Sequence, residues 1–208
     1  MPGTFRNKYR IDSHRLKGWD YNRNGLYFIT FVTQHRQCNL GHIIHPNPSI
    51  SGHTYLEPSD YGKIVWDEWI ISFEIRHELY LDEWIMMPNH IHAIIGLENN
   101  ATEMNDNETT NNGSIAVQTH GRASLQSKSP YRLPQSISSF IGGFKSSVNT
   151  KIDDYIDLHH LNIPKYNRNN HFFQPNYHDH IIRNNAEYVR IKNYIINNPL
   201  NWDNDSLK

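Results

Sequence analysis

LYLDEWIMMPNHIHAIIGL, residues 79–97, reads as two strands joined by a turn. The run 79–87 is apolar and aromatic, Pro88-Asn89 supplies turn chemistry, and 90–97 is the hairpin partner. On a strand, residues two apart share a face. His90 and His92 therefore project side by side while Ile91 points to the core. Two imidazoles at that spacing can share one divalent metal through their ring nitrogens. They hold a hard ion such as Mg²⁺ weakly, so the pair calls for a third, oxygen-bearing ligand. The pattern alone leaves a second reading open: two exposed strand histidines with no role, in a chain that has 14 histidines.

Toward the N-terminus, YFITFVTQHR (27–36) has the aromatic and β-branched composition of a buried strand. Residues 37–58 read as a loop with room for a short hairpin. Ser59 or Asp60 caps a helix running to about Arg76, with Ile64, Val65, Trp69, Ile70 and Phe73 at helical spacing. Toward the C-terminus, residues 98–132 change character: ENNATEMNDNETTNNG (98–113) is polar, acidic and without periodicity, the signature of a solvated insertion. The pattern returns with Ser136 as a cap and a stripe of Ile137, Phe140, Ile141, Phe144, Val148 and Ile152. Gly142-Gly143 inside that helix allows close approach of another backbone. Residues 160–170 are loop. HFFQPNYHDHII (171–182) contains a short strand interrupted at Pro175. Asn184 or Asn185 then caps a last helix, with Val189, Ile191, Tyr194 and Ile195 apolar, which stops before Pro199. The order strand, helix, strand, strand, helix, strand, helix predicts an α+β ferredoxin-like sandwich, an antiparallel sheet with helices packed on one face.

Composition bounds the partners. A net charge of −1 is no global basic signature, so nucleic-acid contact has to come from a local patch. The segment 1–24 offers one: Arg6, Lys8, Arg10, Arg15, Lys17 and Arg23 outnumber Asp12 and Asp20, which reads as a basic arm. Residues 25–202 then form one domain, carrying the insertion at 98–132, and 203–208 a short tail. The single cysteine, Cys38, excludes a disulfide framework and a cysteine-rich zinc cluster. The N-terminus lacks the apolar stretch of a signal peptide, and no run approaches a membrane span, so a soluble cytoplasmic protein is expected.

The last helix adds two groups. Tyr194 and Asn198 are four apart and share a helical face. Asn198 offers a carbonyl oxygen to a metal. Tyr194 offers a phenolic oxygen able to attack a phosphate that a metal polarises, or it is a core aromatic on an amphipathic helix. Lys145, Lys151, Arg183, Arg190 and Lys192 read equally as a phosphate-tracking set and as solvated helix surface. Tyr177, His178, Asp179 and His180 form a further polar cluster in which packing by Tyr177 and one structural hydrogen bond from His180 are expected. Trp69 and Trp84 read as core.

Five segments occur in order: RLKGWDYNRNGLYFITFVTQHR, MPNHIHAII, SISSFIGGFKSSV, NYHDHIIRN and VRIKNYIINNPLNW. Together they resemble the single-tyrosine HUH transposases, and most closely the REP-associated tyrosine transposases, over residues 14–97 and 133–202. The resemblance implies an RRM-like HUH endonuclease fold. It matches His90 and His92 to the family's metal pair, Tyr194 to its nucleophile and Asn198 to the third metal ligand. It implies Mg²⁺ or Mn²⁺, cleavage of single-stranded DNA beside hairpins (REP-like or insertion-sequence ends) through a 5′-phosphotyrosine, and a monomer or homodimer. Arg15 and Lys17 of the arm, with the five cations named above, become candidate DNA contacts. Pro175 and His178 depart from the family pattern, which has a basic and an aromatic residue there. A non-cleaving hairpin-binding module on the same fold is the competing expectation.

Overall fold

The computed structural model describes residues 4–5, 8–9, 23–46, 53–98 and 136–208. Most of the basic arm, including Arg15 and Lys17, and nearly all of the 98–132 insertion lie outside the described residues. The elements in chain order are β1 (Thr4–Phe5), β2 (Lys8–Tyr9), β3 (Gly25–Val32), β4 (Gly41–Ile44), β5 (Tyr55–Pro58), α1 (Asp60–Ile75), β6 (Leu79–Met86), β7 (His90–Leu97), α2 (Ile137–Leu158), β8 (His178–Ile182) and α3 (Asn185–Asn197). β1 pairs with β2, and β4 with β5, as separate two-stranded ribbons. The remaining four strands form one antiparallel sheet in the order β6-β7-β3-β8. That order, with α1 and α2 as crossovers, is the ferredoxin-like arrangement.

Local chemistry sets the boundaries. The Ser59 hydroxyl accepts the Gly62 N–H at 2.9 Å and starts α1. Gly62 is there because the backbone of Leu40 presses on it: a Cβ would fall 1.9 Å from the Leu40 carbonyl oxygen. Ser136 and Ser139 form a reciprocal capping box at the start of α2. This helix runs to Leu158, past the expected Ile152, because Ile156 continues the buried stripe. Gly143 inside it meets nothing within 4 Å, so the close backbone approach expected at the glycine pair does not occur there. β3 ends at Val32 rather than near Arg36. The Thr33 N–H turns to the Asn89 carbonyl at 2.8 Å, and His35 and Arg36 adopt left-handed φ values of 55° and 56°. β8 is confined to the five residues after the Pro175 interruption.

Alternation then divides the sheet. Ile91, Ala93, Ile95 and Leu97 of β7 join Tyr27, Ile29 and Phe31 of β3 in the main core under α1 and α2. Trp69, Phe140 and Phe144 fill that layer, with ring centroids 5.0–5.6 Å apart for Trp69 against the two phenylalanines. The opposite face carries His90, His92 and Ile94. The expectation of helices on one face holds for α1 and α2. α3 covers the other, through Ile191 and Ile195 against Ile94, with Leu26, Phe28, Ile85 and Ile182 around them. Val189, expected to be apolar and inward, is 45% exposed on the outside of α3. Covered on both faces, β7 is buried along its whole length.

Candidate metal centre and nucleophile

The β7 register sets His90 opposite Val32 and His92 opposite Thr30, both histidines on the α3 side of the sheet. Their rings lie 4.5 Å apart, centroid to centroid, and both are essentially excluded from solvent. Each is held by its Nδ1. His90 Nδ1 meets Asn89 Oδ1 at 2.7 Å. The Asn89 amide nitrogen donates to the carbonyls of Arg36 and Leu207, at 3.2 and 2.7 Å. Those two bonds fix the amide so that its oxygen faces His90, and the hydrogen sits on His90 Nδ1. The Nε2 lone pair is then free to bind a metal. His92 Nδ1 meets Thr30 Oγ1 at 2.7 Å, a side chain that the same strand register delivers.

Tyr194, on the last turns of α3, places its hydroxyl 3.1 Å from His92 Nε2. Its ring packs on His92 and edge-on to Phe28, at centroid distances of 5.1 and 6.3 Å. Asn198 is buried one turn further on. Its amide nitrogen donates to Asp205 Oδ2 at 3.1 Å, and its Oδ1 has no partner. Residues 203–208, expected as a tail, return to the sheet. The 3-10 turn Pro199–Asn204 anchors Trp202 beside His90, and Asp205 follows with Oδ2 3.9 Å from His90 Nε2. The Ser206 and Leu207 carbonyls accept from Arg36 and Asn89.

Burial governs the electrostatics. It pushes His90 down to about 4, against the pull of the Asp205 carboxylate in the other direction. Burial likewise holds His92 well below the usual histidine range, with His90 and His178 adding to the effect. Both rings are thus neutral at pH 7, the state a metal needs. Burial, then Asp205, raises the Tyr194 phenol, so it stays protonated and donates to His92.

One ligand atom each from His90, His92 and Asp205 lie within 4.8 Å of one another. His90 Nε2 and Asn198 Oδ1 are both buried and unpartnered. Two imidazole nitrogens, a carboxylate and an amide oxygen make a donor set that fits a divalent cation, and orphaned buried polar atoms are otherwise costly. The His92 Nε2 lone pair cannot serve Tyr194 and a cation together. A cation held by His92 Nε2 would take the lone pair that now accepts from the Tyr194 hydroxyl.

The structure thus brings His90, His92, Tyr194 and Asn198 together. Sequence reasoning missed Asp205, Asn89 and Thr30. Asn89 was visible only as a turn residue, and only Trp202, an apolar anchor beyond Pro199, hinted that the following residues fold back. The cations disperse. Lys145 and Lys151 lie on α2, across the sheet from the site, and Lys145 donates to the Gln174 and Asn176 carbonyls. Lys192 is engaged by Asp82 and Glu83. Arg183 and Arg190 are exposed near the N-terminal half of α3. His180 bonds Glu187 at 2.7 Å, the structural role expected of it.

No family model matches the chain. It is 29% identical over 214 residues to an uncharacterized protein of Haemophilus influenzae, across 96% of this chain and 97% of that one. Among solved structures it is similar to a REP-associated tyrosine transposase bound to a REP hairpin, with a TM-score of 0.46 and 17% identity. That match covers 94% of this chain and 74% of the other. It is also similar to a provisionally assigned transposase of Deinococcus radiodurans, with a TM-score of 0.39 and 15% identity, over 88% and 95% of the two chains. Neither superposition is close enough to carry function across.

Proposed function

We propose that the chain is a metal-dependent endonuclease and strand-transferase for single-stranded DNA, a transposase of the single-tyrosine HUH type. The observation that carries this reading is the Tyr194 hydroxyl 3.1 Å from a buried, neutral histidine pair with unpartnered donors beside it. His90, His92, Asn198 and Asp205 would hold Mg²⁺ or Mn²⁺, which supplies Lewis-acid polarisation of the scissile phosphate when bound. Asn89 and Thr30 orient the two imidazoles. Tyr194 attacks phosphorus: the phenolic oxygen forms a bond to it and gives up its proton to solvent, the bond to O3′ breaks, and the leaving O3′ takes a proton from solvent. The resulting 5′-phosphotyrosine keeps the bond energy for rejoining.

The partner in this reading is single-stranded DNA with hairpins, REP-like or from insertion-sequence ends, met in the cytoplasm. Arg183 and Arg190, with Arg15 and Lys17 of the arm, are the cations best suited to its backbone. Lys145, Lys151 and Lys192 contribute less. The assembly in this reading is a monomer or a homodimer. Among the described residues no helix is long and apolar enough to cross a membrane.

The test is incubation with labelled single-stranded hairpins and Mn²⁺, followed by denaturing electrophoresis. The parent should form a denaturant-stable adduct, and Tyr194→Phe should bind the hairpin equally and form none. An adduct surviving in Tyr194→Phe refutes the assignment and points to Tyr188 or Tyr177. A parent that binds hairpins yet never cuts them, in either metal, is a binding module instead.

A further inference from the structure

The row of side chains that contains His92 continues across the sheet. His92 on β7 stands opposite Thr30 on β3, and Thr30 stands opposite His178 on β8. Alternation along β8 fixes the face. His180 reaches Glu187 of α3, and Ile182 packs in the small cluster under that helix, so His178 projects on the same side. Its neighbours are committed: Thr30 to His92, His180 to Glu187. His178 is exposed and has no hydrogen-bond partner among the described residues. Strands sit about 4.8 Å apart, so the His178 backbone is roughly 10 Å from that of His92. A phosphate lying before His92 and Tyr194 falls within the span of the two imidazoles. The cations expected from the sequence lie elsewhere where they are described: Lys145 and Lys151 across the sheet, Lys192 held by Asp82 and Glu83, Arg183 and Arg190 toward the start of α3.

We propose that His178 is a phosphate-binding residue of the cleavage site, donating a ring N–H to a non-bridging oxygen of the phosphodiester that Tyr194 attacks. The inference rests on the cleavage reading above. A neutral imidazole suffices, since it always carries one N–H. As the tyrosine oxygen bonds to phosphorus and O3′ departs with a proton, charge accumulates on the non-bridging oxygens. A donor aimed there gains strength in the transition state.

The experiment compares the parent with His178→Ala and His178→Gln, using labelled single-stranded hairpin and Mn²⁺. It follows single-turnover adduct formation, affinity for the uncut strand in Ca²⁺, and Mn²⁺ affinity by calorimetry. Alanine should slow adduct formation about 100-fold, the typical loss of one such donor. It should weaken strand affinity only about fivefold, as for one ordinary hydrogen bond. Glutamine, which keeps an N–H donor, should recover most of the rate. Mn²⁺ affinity and thermal unfolding should match the parent in both variants. Unchanged adduct formation in His178→Ala overturns the proposal. So does loss of Mn²⁺ affinity in both variants, which would make His178 a metal ligand. If the parent itself never forms the adduct, the cleavage reading fails first, and an unaltered strand affinity in His178→Ala would then discard the phosphate contact as well.

Discussion

Thr30→Val isolates one atom of the site. Valine nearly matches threonine in shape, so the change deletes Oγ1 and its 2.7 Å bond to His92 Nδ1. Thr30 and His92 are 7% and 2% exposed, so water does not replace the lost partner. An orphaned buried donor costs about 1–3 kcal/mol. The cost depends on the state of the ring. Without metal, His92 can exchange tautomers, moving its hydrogen to Nε2 and accepting nothing at Nδ1. With a cation on Nε2 the hydrogen is fixed on Nδ1 and faces a methyl group. The penalty is therefore larger in the metal-bound form, and the difference appears as affinity. Loss of such a supporting bond typically weakens binding 10- to 100-fold, or about 1.4–2.7 kcal/mol. Calorimetric titration of Mn²⁺ reads it directly, and urea unfolding with and without Mn²⁺ gives the same difference independently. A Thr30→Val protein with parental Mn²⁺ affinity would refute the orientation role of Thr30 and the placement of the ion on His92 Nε2.

Further outcomes follow from the same geometry. The pKa of His90 is depressed to about 4, and that of His92 is also lowered. Their neutral burial stabilises the fold above the ordinary value of 6.5, and this stability is lost as pH falls from 6.5 toward 4, at up to about 1.4 kcal/mol per pH unit for each ring. Urea midpoints at pH 7, 5.5 and 4.5 should fall accordingly, at least as steeply with Mn²⁺ present because the ion needs the neutral rings, and a flat profile would contradict the burial argument. Asp205→Asn keeps the shape but removes the charge; Mn²⁺ affinity should drop about tenfold or more, and equal affinity would exclude the carboxylate as a ligand. Gly62→Ala forces a Cβ against the Leu40 backbone and should destabilise by about 2–3 kcal/mol in urea unfolding, whereas an unchanged midpoint would show that the junction before α1 yields easily.

The hairpin at 79–97 was legible because period-two alternation is a property of neighbouring residues. It placed His90 and His92 on one face and Ile91 on the other without reference to anything distant. The helices were legible through stripes such as Phe140, Phe144 and Val148. What the sequence could not show was the second covered face. Whether Val189 or Ile191 turns inward depends on where α3 lands. Only the fold decides that it lands on the histidine side of β7. Asp205 was illegible for a related reason: its role depends on a 3-10 turn and on the docking of Trp202, neither of which has a period to detect. The cations were ambiguous for the opposite reason. Lys145 and Lys192 are equally plausible phosphate contacts on a helical wheel, but one is taken by two carbonyls and the other by two carboxylates.

The burial of β7 on both faces has a consequence for hydrogen exchange. Its amides are bonded to β3 on one side and β6 on the other, in the middle of the sheet, and they belong to the part of the molecule that opens only with global unfolding. α3 is tied down by Ile191 and Ile195 against Ile94, each worth about 1.5–3 kcal/mol. Its amides should exchange by a smaller, local opening. The histidines and the tyrosine should therefore exchange in different cooperative units, one slow and one fast. A divalent ion bound as proposed, between β7 on one side and Asn198 and Asp205 on the other, should slow the amides of α3 far more than those of β7.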